Sequence, residues 1–102
     1  MRLSKEEIKT IKKVIENKDE HARIYLFGSR VDDSKKGGDI DILIFSQKLN
    51  KNDARDIKYS LWEYLGEQKI DIVIAKDKKD PFVRIALKEA IKLWELTKKN
   101  FY

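Results

Sequence analysis

Two short runs, residues 39–45 and 69–75, constrain what this chain can fold into more than any other feature. Each alternates an aliphatic side chain with a different kind of residue, which is the period of a strand with one buried face. Ile40, Ile42 and Ile44 share one face of the first run, and Ile70, Ile72 and Ile74 share one face of the second. A third run, residues 22–27, brings Ile24 and Leu26 to the same surface. An aliphatic face of this kind is stable when helices bury it. The opposite face carries Asp39, Asp41, Leu43 and Phe45 from one run and Asp71, Val73 and Ala75 from the other. Pairing that sets Asp71 beside Asp41 would gather three carboxylates on one patch.

Helical patterns supply the cover. Residues 4–19 open with Ser4 and Glu7 at capping-box spacing and repeat Ile8, Ile11, Val14 and Ile15 along one side. A second helix starts around residues 50–53 and runs to 68, with the stripe Ala54, Ile57, Leu61, Tyr64 and Leu65 and with Gly66 near its end. Asp80 and Pro81 open the last helix as cap and first residue. Its apolar side is Phe82, Ile85, Ala86, Ala90, Ile91, Leu93 and Trp94, and it extends to about Lys98. The order α-β-β-α-β-α predicts one α/β (α+β) domain over residues 1–102, with helices packed on a mixed sheet of three to four strands.

Bulk properties narrow the function. A chain of 102 residues has room for one core. The net charge is +5, but charges of both signs alternate along the helical stretches, as on a solvated surface. No basic run is interleaved with aromatics as in single-strand binders, so direct nucleic-acid binding is not expected. The absence of Cys excludes disulfides and thiolate metal sites. With no leader-like segment and no apolar run of about 18 residues, a cytoplasmic protein without a membrane span is expected.

The chemistry concentrates between the first two strands. Gly28 and Ser29 follow Phe27 where a strand hands over to a turn. Glycine lets backbone approach a ligand closely, and free N–H groups at a helix start attract an anion. Asp39 and Asp41 leave the same strand face, where like charges repel unless a cation lies between them. Mg²⁺ takes one or two carboxylates together with substrate phosphates. A phosphate cradle beside metal carboxylates implies a nucleotide handled through its phosphates. Taken singly, each feature has a plainer reading. Asp at a strand start can serve a turn, Asp71 can be an exposed edge residue, and His21 sits on the surface at a helix-to-strand junction. Trp62 and Trp94 read as core or interface residues, and residues 76–79 as a solvated turn. The combination carries the signal: strand, Gly-Ser, the nine residues 30–38, Asp-x-Asp on an aliphatic strand, then a further strand with one Asp.

That pattern resembles the minimal nucleotidyltransferase (MNT) group of the DNA polymerase β-like superfamily, over residues 22–75. The residues that carry it are Phe27-Gly28-Ser29-Arg30, Asp39-Ile40-Asp41-Ile42-Leu43-Ile44 and Asp71. The resemblance implies the small polymerase β-like fold and transfer of AMP from ATP, or of another nucleoside monophosphate, to a hydroxyl with release of pyrophosphate. It implies two Mg²⁺ ions, held by Asp39 and Asp41, with Asp71 helping to hold the catalytic ion and to orient or deprotonate the attacking hydroxyl. Gly28 and Ser29 would hold the terminal phosphates. Arg30 and Lys36 are candidate phosphate neutralisers, with Arg30 pairing to Asp32 or Asp33 as the competing reading.

Larger relatives add a domain for the acceptor, which these 102 residues do not provide room for. The resemblance therefore implies a partner: a HEPN-domain RNase toxin encoded nearby, neutralised by addition of AMP to a tyrosine. Leu43, Phe45 and Val73 are candidates for an apolar acceptor surface, and burial under the C-terminal helix is the equal competitor. Three other functions stay open: an antitoxin that only binds its toxin, an antibiotic-type subunit that modifies a small molecule, and, resting only on the +5 charge, a nucleic-acid-binding module. Homo-oligomerisation also stays open.

Overall fold

The computed structural model describes residues 4–27, 40–66 and 68–93. The elements run α1 (Lys5–Glu16), β1 (Arg23–Phe27), β2 (Ile40–Phe45), α2 (Lys51–Leu65), β3 (Ile70–Ala75), α3 (Pro81–Glu89) and β4 (Ile91–Lys92). The strands form one mixed sheet in the order β3-β2-β1-β4. β1 is antiparallel to both β2 and β4, whereas β2 and β3 are parallel. A parallel pair needs a crossover, and α2 supplies it.

The two sheet faces bury different cores. Ile24, Leu26, Ile40, Ile42, Ile44 and Ile70 pack against Ile8, Ile11 and Ile15 of α1 and Ile57 and Leu61 of α2. On the other face a smaller cluster joins Tyr25 and Leu43 to Val83 and Ala86 of α3. The helix starts follow their caps. Ser4 and Glu7 close a capping box on α1, Asn50 and Asp53 do so on α2, and the Asp80 side chain accepts from the Phe82 N–H ahead of Pro81. Gly66 ends α2 at φ 82°, a backbone conformation that a Cβ would strain.

The last helix departs from its sequence pattern in two ways. It stops at Glu89 instead of running to about Lys98, because Ala90 turns extended and residues 91–92 pair with β1, opposing Tyr25 to Lys92 and Leu26 to Ile91. This short strand covers an edge of β1 that would otherwise present unpaired backbone groups. Leu93 then enters the main core, on the sheet face away from α3. The inward stripe is also rotated: Val83, Ala86 and Leu87 face the sheet, while Phe82 is 49% and Ile85 65% exposed. Tyr64, placed by its spacing on the buried side of α2, is 70% exposed. Trp94 lies outside the described residues. Among the described residues no helix is long and apolar enough to cross a membrane.

A buried polar link ties two loops together beneath the sheet end. The Asp19 carboxylate accepts from the Ser46 hydroxyl and from the His21 N–H, and Ser46 Oγ in turn accepts from the Lys48 and Leu49 N–H groups. The Ser46 hydroxyl, and then the His21 N–H and nearby positive charge, hold the Asp19 carboxyl below its usual range against the opposing effect of burial.

Two outcomes test this description. By urea denaturation, Ile42→Ala is expected to cost about 2–5 kcal/mol, and Ile85→Ala to stay within about 0.5 kcal/mol of wild type. A loss at Ile85 as large as that at Ile42 would restore the apolar side that the helical spacing suggests. For Asp19 the folded pKa is lowered, so its contribution is present above the unfolded value of about 3.9 and fades as pH falls through the folded value. The stability gap between wild type and Asp19→Asn should therefore be wide at neutral pH, begin to narrow only below about pH 4, and close once the pH is below the folded value. A gap independent of pH would remove the carboxylate's charge from the account.

Candidate functional site

One row of residues crosses the sheet at the end where β1 finishes. The antiparallel register opposes Phe27 to Asp41, and the parallel register opposes Asp41 to Asp71. Neighbouring strands lie about 4.8 Å apart, and partners in register share a face. Both carboxylates therefore stand side by side on the α3 face, Asp41 half-buried and Asp71 exposed. The chain leaves the sheet at Phe27 and re-enters it at Ile40, so both ends of segment 28–39 are anchored at this row. Gly28, Ser29, Arg30, Lys36 and Asp39 belong to that segment and lie outside the described residues. Of the residues singled out from sequence, the structure thus brings together Asp41 and Asp71.

Chemically the row offers two oxygen-donor side chains whose charges repel. Among the described residues no group of three or more His, Cys, Asp or Glu side chains is placed to hold a metal ion. The pair alone fits the hard-cation pattern of one or two carboxylates completed by phosphate oxygens and water.

The next row settles what covers the sheet. Leu43 is fully buried, and Phe45 and Val73 pack against the same cluster beneath α3. Leu43 is thereby closed off as an acceptor surface, while Phe45 and Val73 are only part-buried. The exposed apolar group at the site is instead Phe82, whose ring meets Phe27 edge-on at 6.0 Å between centroids. Helical spacing assigned Phe82 to the core, and no local signal separates it from Val83, one residue on.

Asp71 also borders a cavity of about 360 Å³ between α2 and the outer edge of β3. Arg55 and Lys58 stand in its wall with Tyr59 and Trp62, the Lys58 ammonium lying 5.3 Å from the centre of the Trp62 ring. These cations were not apparent from the sequence, where they are two of many charges on the outer side of a helix.

A family model described as "Polymerase beta, Nucleotidyltransferase" matches residues 9–99. Comparison with curated proteins gives no match.

If the carboxylate row takes a divalent ion, Mg²⁺ should raise the melting temperature of wild type relative to EDTA, by the equivalent of about 2.7 kcal/mol at a hundredfold excess over Kd. Asp71→Asn should lose most of that shift. An equal Mg²⁺ response in wild type and variant would place the ion elsewhere.

Proposed function

The chain belongs to the polymerase β nucleotidyltransferase family, and from that premise we propose that it is a Mg²⁺-dependent enzyme moving AMP from ATP to a tyrosine hydroxyl of a HEPN-domain toxin, and so acts as a cytoplasmic antitoxin. The observation that carries the reading is the register opposing Asp41 to Asp71 on parallel strands, next to the point where the chain enters segment 28–39. In this reading Asp39, Asp41 and Asp71 hold two Mg²⁺ ions. When bound, such a pair stabilises the attacking and leaving oxygens of an in-line displacement. The Gly28 and Ser29 N–H groups and the Ser29 hydroxyl hold the β- and γ-phosphates, with Arg30 beside them. Asp71 orients the acceptor hydroxyl and takes its proton. The acceptor oxygen then forms a bond to the α-phosphorus while the bond to pyrophosphate breaks.

The acceptor side of the proposal draws on the cover of the sheet. Because α3 sits on the middle row, an acceptor reaches the carboxylates from the open end, where the half-exposed Phe82 ring stands. An aromatic acceptor side chain suits that approach, since ring pairs in edge or offset contact gain about 0.5–1.5 kcal/mol.

The test incubates the full chain with α-labelled ATP, Mg²⁺ and the HEPN-domain protein encoded beside it. Label is expected on a tyrosine of the toxin, with Asp41→Asn and Asp71→Asn each slower by at least about a hundredfold. No label, with toxin blocked equally by wild type and both variants, would replace this reading by an antitoxin that acts through binding alone.

A further inference from the structure

The end of the sheet opposite the carboxylate row holds a cavity of about 540 Å³ that the proposed transfer does not use. It lies where β2 and β3 finish. Phe45 closes β2 four residues beyond Asp41, a separation of about 13 Å along a strand. Three loops wall it: residues 17–22 before β1, residues 46–50 after β2, and residues 76–80 after β3.

Its place in the topology is informative. After β2 the chain goes to α2, on the isoleucine face, and after β3 it goes to α3, on the other face. Adjacent parallel strands whose connections part to opposite faces open a crevice at their carboxyl ends, and ligands of open α/β sheets bind in such crevices. The carboxylate row sits at the other ends of the same strands. The cavity is therefore a separate place.

Its chemistry is cationic around an aromatic floor. Arg23, Lys48, Lys76 and Lys78 line it, and among the described residues none of the four forms an ion pair. The two carboxylates at the cavity are engaged locally: Asp19 by the Ser46 hydroxyl and the His21 N–H, Asp77 by the Lys79 N–H. The floor is Phe45, half-buried and edge-on to Tyr25 at 5.6 Å between ring centroids. The walls are held in place. Gln47 Nε2 donates to the Lys76 carbonyl and Lys76 Nζ donates to the Gln47 carbonyl, which clamps the second loop to the third. Asp19 and Ser46 tie the first loop to the second. Four cations against two carboxylates leave the crevice net positive, which favours an anionic ligand. The volume is that of a small-molecule site.

From this we infer a second nucleotide-binding site, in which Arg23, Lys48, Lys76 and Lys78 receive the phosphate of a nucleoside phosphate and Phe45 receives its base. The ligand is a free nucleotide or one unit of a strand, since both present a phosphate beside a flat ring. Arg23, Lys48, Lys76 and Lys78 supply the charge that a phosphate needs, so this binding calls for no metal ion, although Asp19 and Asp77 also line the cavity. This separates it from the Mg²⁺-dependent carboxylate row whether or not the transfer proposed above is correct.

The experiment is titration calorimetry of the full chain in EDTA with 5′-AMP, with inorganic phosphate and with a short single-stranded oligoadenylate. AMP is expected to bind without metal, at least about tenfold more tightly than phosphate. The double variant Arg23→Ala/Lys48→Ala should weaken AMP by at least about tenfold. Asp71→Asn should leave it unchanged. Tighter binding of the oligonucleotide than of AMP would identify a strand as the source, and equal or weaker binding a free nucleotide. Arg23 and Lys48 are exposed, so the double variant should fold, and backbone shift mapping with AMP should move Arg23, Phe45 and Lys48 together. No binding in EDTA, equal binding of phosphate and AMP, or loss on Asp71→Asn with retention in the double variant would each overturn the inference.

Discussion

The structure depends on β2 being enclosed on every side. Its two edges are paired, antiparallel to β1 and parallel to β3, and its faces lie beneath α1 and α2 on one side and α3 on the other. Residues 40 and 42–44 are without solvent contact. Within this strand Asp41 is the one charged residue, and it is only half-buried, sitting in the row where β1 ends, one row beyond the Tyr25–Leu43 seat of α3. The rigidity that the core gives to β2 is thus transmitted to a carboxylate at its rim. A side chain in that position has little freedom to lose when it takes a ligand.

The direction of β3 matters as much as its presence. In parallel register Asp71 falls opposite Asp41. An antiparallel strand over the same span would carry Asp71 toward the far end of β2, and a one-residue slip would turn it onto the isoleucine face. Parallel pairing requires the α2 crossover, so a helix packed on the isoleucine face is what sets their separation. The same crossover sends α2 and α3 to opposite faces and opens the crevice at the other end of β2 and β3. Site and crevice are two consequences of one connection.

Much of this was legible in the chain. The period-two isoleucines gave three strands and their buried face, and the Ser4–Glu7 spacing and the polar run at 50–53 gave two helix starts to within a residue or two. The juxtaposition of Asp41 and Asp71 was readable as a condition, because alternation put both on one face while pairing and direction lay beyond any local pattern. The last helix resisted for a different reason. Residues 82–94 contain overlapping apolar stripes, and a helical period alone does not choose between Phe82 with Ile85 and Val83 with Leu87. The choice is made by the sheet, whose small seat of Tyr25, Leu43 and Val73 accepts Val83 and Ala86. The stop at Glu89 is likewise tertiary: Ile91 and Lys92 leave the helix because β1 has an open edge to pair.

The distribution of charge was the least legible feature. A net charge of +5 spread over interleaved lysines and glutamates reads as a solvated surface, and on α1 the Lys12–Glu16 pair, 3.6 Å apart, bears this out. At one sheet end cations gather around the crevice, with Asp19 and Asp77 among them. Arg23 belongs to β1, Lys48 follows β2, and Lys76 and Lys78 follow β3, so residues distant in sequence converge only because three strand ends meet at one place. The opposite ends of β2 and β3 carry Asp41 and Asp71. The two ends of β2 and β3 thus differ in the charged groups they carry, with α3 lying between. A net positive crevice favours an anionic ligand, and a pair of carboxylates takes phosphates only with cations to accompany them.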